Sequence, residues 1–384
     1  MRRADFTKST HGTLVKNLQG HWTFIPNPLP VKLKWTDELV SVLTRAEAEL
    51  GRLAGIGNKF PHPKRLVRMF LRREAELSSR IENTYAGVRT QLLFDLVPAV
   101  RAKSPDAQEV DNNFRALEFG LRAVEDRGVS QHLIRQLHEV LLTDVRGQDE
   151  TPGRYRTVQA HIGRSTRIEE ARFVPPPPHL IPECMDHLER FISENSTVPR
   201  VARLAMTHYQ FECIHPFADG NGRIGRVLIL LLMNQWGMLP LPLFNPSAPL
   251  EDNRREYYDH LLSVSTRGTW NEWIAFFANG IIRECAETVS RIEALEALRR
   301  SYQEVVRAKG LPANLSKLVD ELFGRPRVTL EDVRQLFDTW PASAQRYIDR
   351  LVKHRILREV TGRQRNRVYL AHKIVELFST ERGQ

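Results

Sequence analysis

The stretch "HPFADGNGRIGR" occupies residues 215–226 and runs directly into the apolar segment Val227–Met233. Glycine and asparagine tolerate backbone angles that other residues avoid. Gly220-Asn221-Gly222 can therefore curl until successive N–H groups point inward and form an anion nest. A helix starting near Arg223 would aim its positive end at the same spot. Arg223 and Arg226 share a face of its first turn and can reach two further phosphate groups. Asp219 has no reason to face a bare phosphate. It fits where a hard divalent cation such as Mg²⁺ bridges carboxylate and phosphate oxygens. His215 carries the side chain suited to taking a proton near neutral pH. Taken singly, such a histidine is commonly structural, a GxG commonly a turn and an arginine pair commonly a surface feature. Together within twelve residues they describe a polyphosphate, a metal and a general base, arranged to transfer a phosphorus-linked group onto a hydroxyl.

Outside the motif the chain has ordinary globular composition, 384 residues with 41% hydrophobic and 27% charged. Val227–Met233 is far shorter than the roughly 20 residues that span a bilayer, so no membrane partner is expected. The N-terminus lacks the apolar core of a signal peptide. The three cysteines, Cys184, Cys213 and Cys285, are widely spaced and fit a reducing, cytoplasmic setting. The net charge of +10 points to an anionic partner.

Helical patterns dominate and make the fold mainly α. Residues 36–55, about 65–79, 104–126 and 130–143 read as helices, with Ser130 as an N-cap. So do 182–196 and 200–214, the latter with one apolar stripe through Ala202, Ala205, Met206, Tyr209 and Cys213. Residues 226–237 form a central buried helix, and 270–308 is helical. The N-terminal 34 residues read as an irregular arm because "FIPNPLP" (24–30) is rich in proline. Residues 148–178 read as a two-stranded hairpin followed by a stiff tetraproline segment. Beyond "AKGLPANLS" (308–316) come three short helices and two strands around "GRQRNR" (362–367), a winged helix-turn-helix arrangement. The expected organisation is therefore 1–110, 111–308 and 309–384.

"HPFADGNGRIGR" resembles the Fic family signature at every defining position. "FIPNPLP" is similar to the N-terminal region of many Fic proteins, and "PGRYRTVQAHIG" with "ARFVPPPP" to their flap. The resemblance covers about residues 10–290. It implies an all-helical Fic core with a small β-hairpin flap, and AMP transfer from ATP to a Ser, Thr or Tyr hydroxyl of a protein and of the chain itself. His215 would be the catalytic base and Asp219 the Mg²⁺ ligand. Gly220, Asn221 and Gly222 would form the anion hole, Arg223 would meet the β-phosphate and Arg226 the γ-phosphate, with Ile224 and Gly225 in the same ATP-binding turn. Tyr258 is the candidate beside adenine and Tyr257 its neighbour in contention, against a core role for both. Gly222 stands where a phosphate-transferring relative has lysine, which favours AMP transfer.

"SSRIEN" (78–83) places Ser78 and Glu82 on one helical face. With Asn83 it resembles the inhibitory helix of Fic proteins, whose glutamate engages the second motif arginine, here Arg226. The flap at 163–173 would hold the target by strand addition. In the tail, Arg346, Arg350, Lys353 and the three arginines of 362–367 suggest DNA. Against it stands a modest balance of 14 basic and 9 acidic residues after 309, which suits a protein-contact module equally. Two functions compete: an autoinhibited adenylyltransferase, or a DNA-binding transcriptional regulator with the core as nucleotide sensor. A homodimer is left open.

Overall fold

The computed structural model describes residues 1–6, 11–57, 60, 63–94, 96–98, 100, 104–145, 151–163 and 165–379. The N-terminal block contains α1 (Asp37–Gly57), α2 (Pro63–Ile81), α3 (Val88–Phe94) and α4 (Pro105–Arg127). Each start has a local cause. Thr36 Oγ1 accepts the Leu39 N–H at the head of α1, and Pro105 occupies the first turn of α4, where its missing N–H is no loss. In α5 (Gln131–Leu141) Ser130 caps as expected, accepting from the Leu133 N–H. Then come α6 (Ile181–Ser193), α7 (Arg200–Ile214), α8 (Asn221–Gln235), α9 (Ser247–Asp252) and α10 (Arg254–Arg267). The 39-residue α11 (Trp270–Ala308) packs along α1 and continues towards the tail.

Helix α8 is buried on nearly every side, against α7, α4, α5 and α2. Helix α7 departs from its expected single stripe: Arg203, Thr207, His208 and Gln210 are buried as well. Most of their polar groups find partners inside: Thr207 donates to Arg203 O, His208 bonds Gly225 O and Tyr257, and Gln210 donates to Asn27 O. One Arg203 amino group donates to the carbonyls of Phe191, Ile192 and Glu194 at the end of α6, which offsets much of the cost of taking this polar face into the core, although Arg203 Nε has no partner there.

Two expectations about strands are corrected. The N-terminal arm is irregular over 27–34, but before it β1 (Gly12–Lys16) and β2 (Trp22–Pro26) pair antiparallel from Gly12↔Pro26 to Lys16↔Trp22. Proline is tolerated because Pro26 ends a strand of a two-stranded sheet. Among the described residues, the expected flap hairpin over 148–178 shows a single bridge pair, Ile162↔Phe173, with a 3₁₀ turn at Ile168–Glu170. Charged Arg167, Glu169 and Glu170 at this turn leave no apolar alternation to extend the pairing. Residues 148–150 and 164 of that stretch lie outside the described residues. Phe24 N–H donates to Val174 O at 2.9 Å and ties β2 to the flap base.

The tail contains the three expected helices, α12 (Asn314–Leu322), α13 (Leu330–Phe337) and α14 (Pro341–Lys353). It also contains the two expected strands, β4 (Arg358–Glu359) and β5 (Val368–Leu370). The sequence did not indicate β3 (Arg327–Thr329) or α15 (His372–Phe378). The strand order is β3-β5-β4. This region packs on the N-terminal half of α2. Arg65 pairs with Glu321 at 2.7 Å, Phe60 lies against Phe323, and Phe70 meets Phe378 edge-on at 5.2 Å.

Phe70→Ala should cost on the order of 3 to 5 kcal/mol of stability, because Phe70 is fully buried between α2 and α15. Urea unfolding followed at two probes, one before residue 300 and one in the tail, should show both transitions displaced together. A shift confined to one probe would mean that the two regions unfold independently.

Candidate functional site

The site lies where α7 ends and α8 begins. His215 terminates α7 in the left-handed region, φ 51°, with its N–H still donating to Phe211 O at 3.0 Å. Arg156, 3% exposed, holds that corner: its Nε donates to His215 O at 2.9 Å and its far amino group to Pro176 O at 2.7 Å. Phe217 is fully buried and stacks on His138 with ring centroids 3.8 Å apart. His138 Nδ1 accepts the Gly153 N–H at 2.9 Å, which leaves the Nε2 hydrogen for Asp219 O at 3.0 Å. The Asn221 side chain closes the loop on itself, donating to Phe217 O at 2.8 Å and accepting the Phe217 N–H at 2.9 Å.

Within Gly220-Asn221-Gly222 only Gly220 takes a left-handed backbone, φ 77°. Asn221 and Gly222 already lie in α8, so the expected curl is one glycine followed by a free helix N-terminus. Gly222 is needed for space, since a Cβ there would meet Glu82 Oε1 and come within 2.9 Å of an Arg226 amino group. Gly225 likewise leaves room for the Glu212 carboxylate. Burial pushes that carboxyl up to about 7, against the pull of Arg226.

The two motif arginines are both held by carboxylates. Arg226, 1% exposed, donates from Nε to Ser78 Oγ at 2.9 Å. One of its amino groups donates to Ser78 O at 2.9 Å and to Glu82 Oε1 at 2.8 Å. Burial raises the Glu82 carboxyl, but the charge and N–H of Arg226 outweigh it, with Arg223 and Arg254 assisting, and the net direction is down. Asn83 follows in the left-handed region and accepts from Arg254 at 2.8 Å. Arg223 reaches Glu109 at 3.3 Å with one amino group and Asp219 at 3.6 Å with the other. The Asp219 side chain is 42% exposed. Tyr257 is a core residue bonded to His208 Nε2 at 2.9 Å. Tyr258 lies beside it with the rings tilted by 37° and is partly buried, with the charges of Glu82 and Arg226 in its surroundings.

His138, Arg156 and Glu109 escape a sequence reading. His138 looks like any polar residue of an amphipathic helix. Arg156 is one of several arginines in the flap, and Glu109 is one acid in a charged helix. No local spacing marks any of them. Among the described residues, no cluster of three or more His, Cys, Asp or Glu side chains is placed to hold a metal without another ligand, and none of the helices is long and apolar enough to cross a membrane.

The profile of the Fic/DOC family matches residues 128–233 and that of the Fic/DOC family N-terminal region matches 40–122. The protein adenylyltransferase fic-1 of Caenorhabditis elegans is 30% identical over 171 residues, 44% of this chain and 30% of that protein. A probable protein adenylyltransferase of Aquifex aeolicus (strain VF5) is 36% identical over 75 residues, 20% of this chain and 23% of its own length. The chain thus spans under a third of these relatives. Among solved structures, a Fic family protein from Desulfovibrio desulfuricans G20 superimposes over 93% of this chain and 100% of its own, with a TM-score of 0.55 at 21% identity. A Fic-1 fragment from C. elegans does so over 68% and 74%, with a TM-score of 0.51 at 23% identity. These likenesses establish the fold.

Burial, with the Arg156 charge behind it, pushes the His215 imidazole down to about 4. Its NMR titration should show a midpoint near that value and move upward in Arg156→Gln, where burial alone depresses it. A midpoint near 6.5 in the unaltered chain would contradict the half-buried placement of the ring beside Arg156.

Proposed function

The chain belongs to the Fic/DOC family, and from that we propose that it transfers AMP from ATP to a Ser, Thr or Tyr hydroxyl of a protein, under restraint by Glu82. One observation carries this reading: the Glu82 carboxylate sits on Arg226, the second arginine of a motif built as a phosphate cradle. A guanidinium fork can grip a carboxylate or a phosphate in that position, and not both at once. ATP would then bind with its terminal phosphate displaced, and misaiming the α-phosphorus by about 1 Å costs on the order of 100-fold in rate.

In the active arrangement Gly220 and the first N–H groups of α8 receive phosphate oxygens. Arg223 meets the β-phosphate and Arg226, once released, the γ-phosphate. Ile224 anchors the first turn in the core and Gly225 leaves room for the Glu212 carboxylate behind it, and Tyr258 lies on the adenine side. His215 Nδ1 is buried, so Nε2 takes the proton of the incoming hydroxyl, which attacks the α-phosphorus as pyrophosphate leaves. Asp219 offers a single partly exposed carboxylate, which suits Mg²⁺, an ion held by one or two carboxylates plus phosphate oxygens and water. When bound there the ion would neutralise charge on the α and β phosphates. The exposed residues of the flap, Thr166, Arg167 and Arg172 among them, are the docking edge for the target.

A second reading, a DNA-binding regulator, draws on the tail. Arg346, Lys353, Arg355, Arg365 and Arg367 are exposed, and Trp340 at the head of α14 is 82% exposed. Binding of a duplex that falls steeply with salt would support it.

Labelled ATP with the purified chain tests the first reading. His215→Ala should lower AMP transfer by about 10² to 10⁴ with ATP affinity retained, and wild-type labelling by that variant would remove His215 from the chemistry. Asp219→Asn should weaken the Mg²⁺ dependence of ATP binding in calorimetry.

Glu82→Gly and Glu82→Gln should both raise transfer. Glycine also loosens the helix by about 1 kcal/mol, whereas glutamine removes only the charge. Activation by Gly alone would make helix mobility the brake in place of the ion pair, and slowing in both would refute the inhibitory role.

A further inference from the structure

We propose that Glu109 is a positioning residue for the nucleotide, holding Arg223 towards the β-phosphate and coupling it to the turn that ends the inhibitory helix. This rests on the nucleotide reading of the site. Glu109 lies on α4, remote in sequence from both the motif and residues 78–83. Its Oε2 accepts from an Arg223 amino group at 3.3 Å and from Thr84 Oγ1 at 3.2 Å. The side chains of Arg223 and Glu109 are 3% and 9% exposed, and Thr84 is 2% exposed. The other Arg223 amino group faces Asp219 at the open side. Glu109 therefore secures the inner branch of the fork and leaves the outer branch directed at the nest. A buried guanidinium without that anchor would be drawn fully to Asp219, the carboxylate already on its other branch, and would close the nest.

Thr84 gives the anchor its second meaning. Its N–H donates to Ser79 O at 3.0 Å, as does that of Glu82, so Thr84 and Glu82 hang from the same carbonyl. Arg226 is held through Ser78 and Glu82, and Arg223 through Glu109 and Thr84. Both motif arginines thus answer to residues 78–84, and a displacement of that turn alters the grip on both phosphates together.

The test is calorimetry of AMP, ADP and ATP with the full chain. AMP carries no β-phosphate, so it reports the rest of the site and the integrity of the fold. Glu109→Gln should weaken ADP and ATP about tenfold, the scale of one hydrogen bond to a charged group, and leave AMP unchanged. Thr84→Val should shift the ADP-to-AMP affinity ratio in the same direction. The double variant should be no weaker than Glu109→Gln alone, because the two act through one oxygen. An unchanged ratio in both single variants overturns the proposal, and so do additive losses. If Glu109→Gln loses AMP binding as well, Thr84→Val decides by the same ratio. If the unaltered chain binds none of the three nucleotides, the nucleotide reading falls and this proposal with it. Binding with an unmoved ratio would fault Glu109 alone.

Discussion

A guanidinium 1% exposed to solvent must have partners, and the supply of partners for Arg226 organises this molecule. It cannot shed its proton, so the fold surrounds it with Ser78 Oγ, Ser78 O and Glu82 Oε1. Ser78 lies in the last turn of α2 and Glu82 in the turn directly after it. That helix must therefore arrive at a fixed height and rotation beside the first turn of α8. Gly222 reflects the same constraint, because a side chain there would occupy the space the carboxylate uses.

Helix α2 is located by more than its terminal contact. Arg73 bonds Asn245 at 2.8 Å and pairs with Glu284 of α11 at 3.4 Å. Asn245 returns a bond to Phe70 O, Glu74 receives Ser247, and Glu76 receives the Val88 N–H. Burial pushes Glu74 up to about 8 and Glu284 up to about 7, so these carboxyls can carry a proton and serve as hydrogen-bond partners in the interior without the full desolvation cost of a charge. A helix anchored along its length does not swing as a unit. The part able to yield is the turn at 82–84, where Asn83 has already left helical geometry.

Much of this was legible beforehand, for identifiable reasons. The motif could be read because its chemistry is local: the histidine, the acid, the nest and both arginines lie within four turns of chain, and helical periodicity located α7 and α8 around it. The Ser78–Glu82 spacing could be read because i, i+4 on a helix is a spatial statement. What escaped depends on distance in sequence. His138, Arg156 and Glu109 act on the motif across 59 to 114 residues, and nothing in their own neighbourhoods requires it. The apolar stripe of α7 is buried as its spacing predicts, but the stripe alone does not show that Thr207, His208 and Gln210 also find partners inside. The β1–β2 pair was hidden by prolines that sit where a strand tolerates them.

The contact between the tail and α2 bears on how such a chain can be assembled over time. A domain joined by a linker can be exchanged as a cassette, since nothing but the linker has to match. Residues 309–379 are not joined in that manner: Glu321, Phe323 and Phe378 complete surfaces that Arg65, Phe60 and Phe70 leave open. A different tail grafted at residue 308 would have to bring its own complement to α2, or leave uncovered the helix that leads into Glu82. The cut in the sequence and the seam in the molecule fall in different places. The tail and α2 therefore constrain one another, each substitution on one side of the seam limiting what the other can accept.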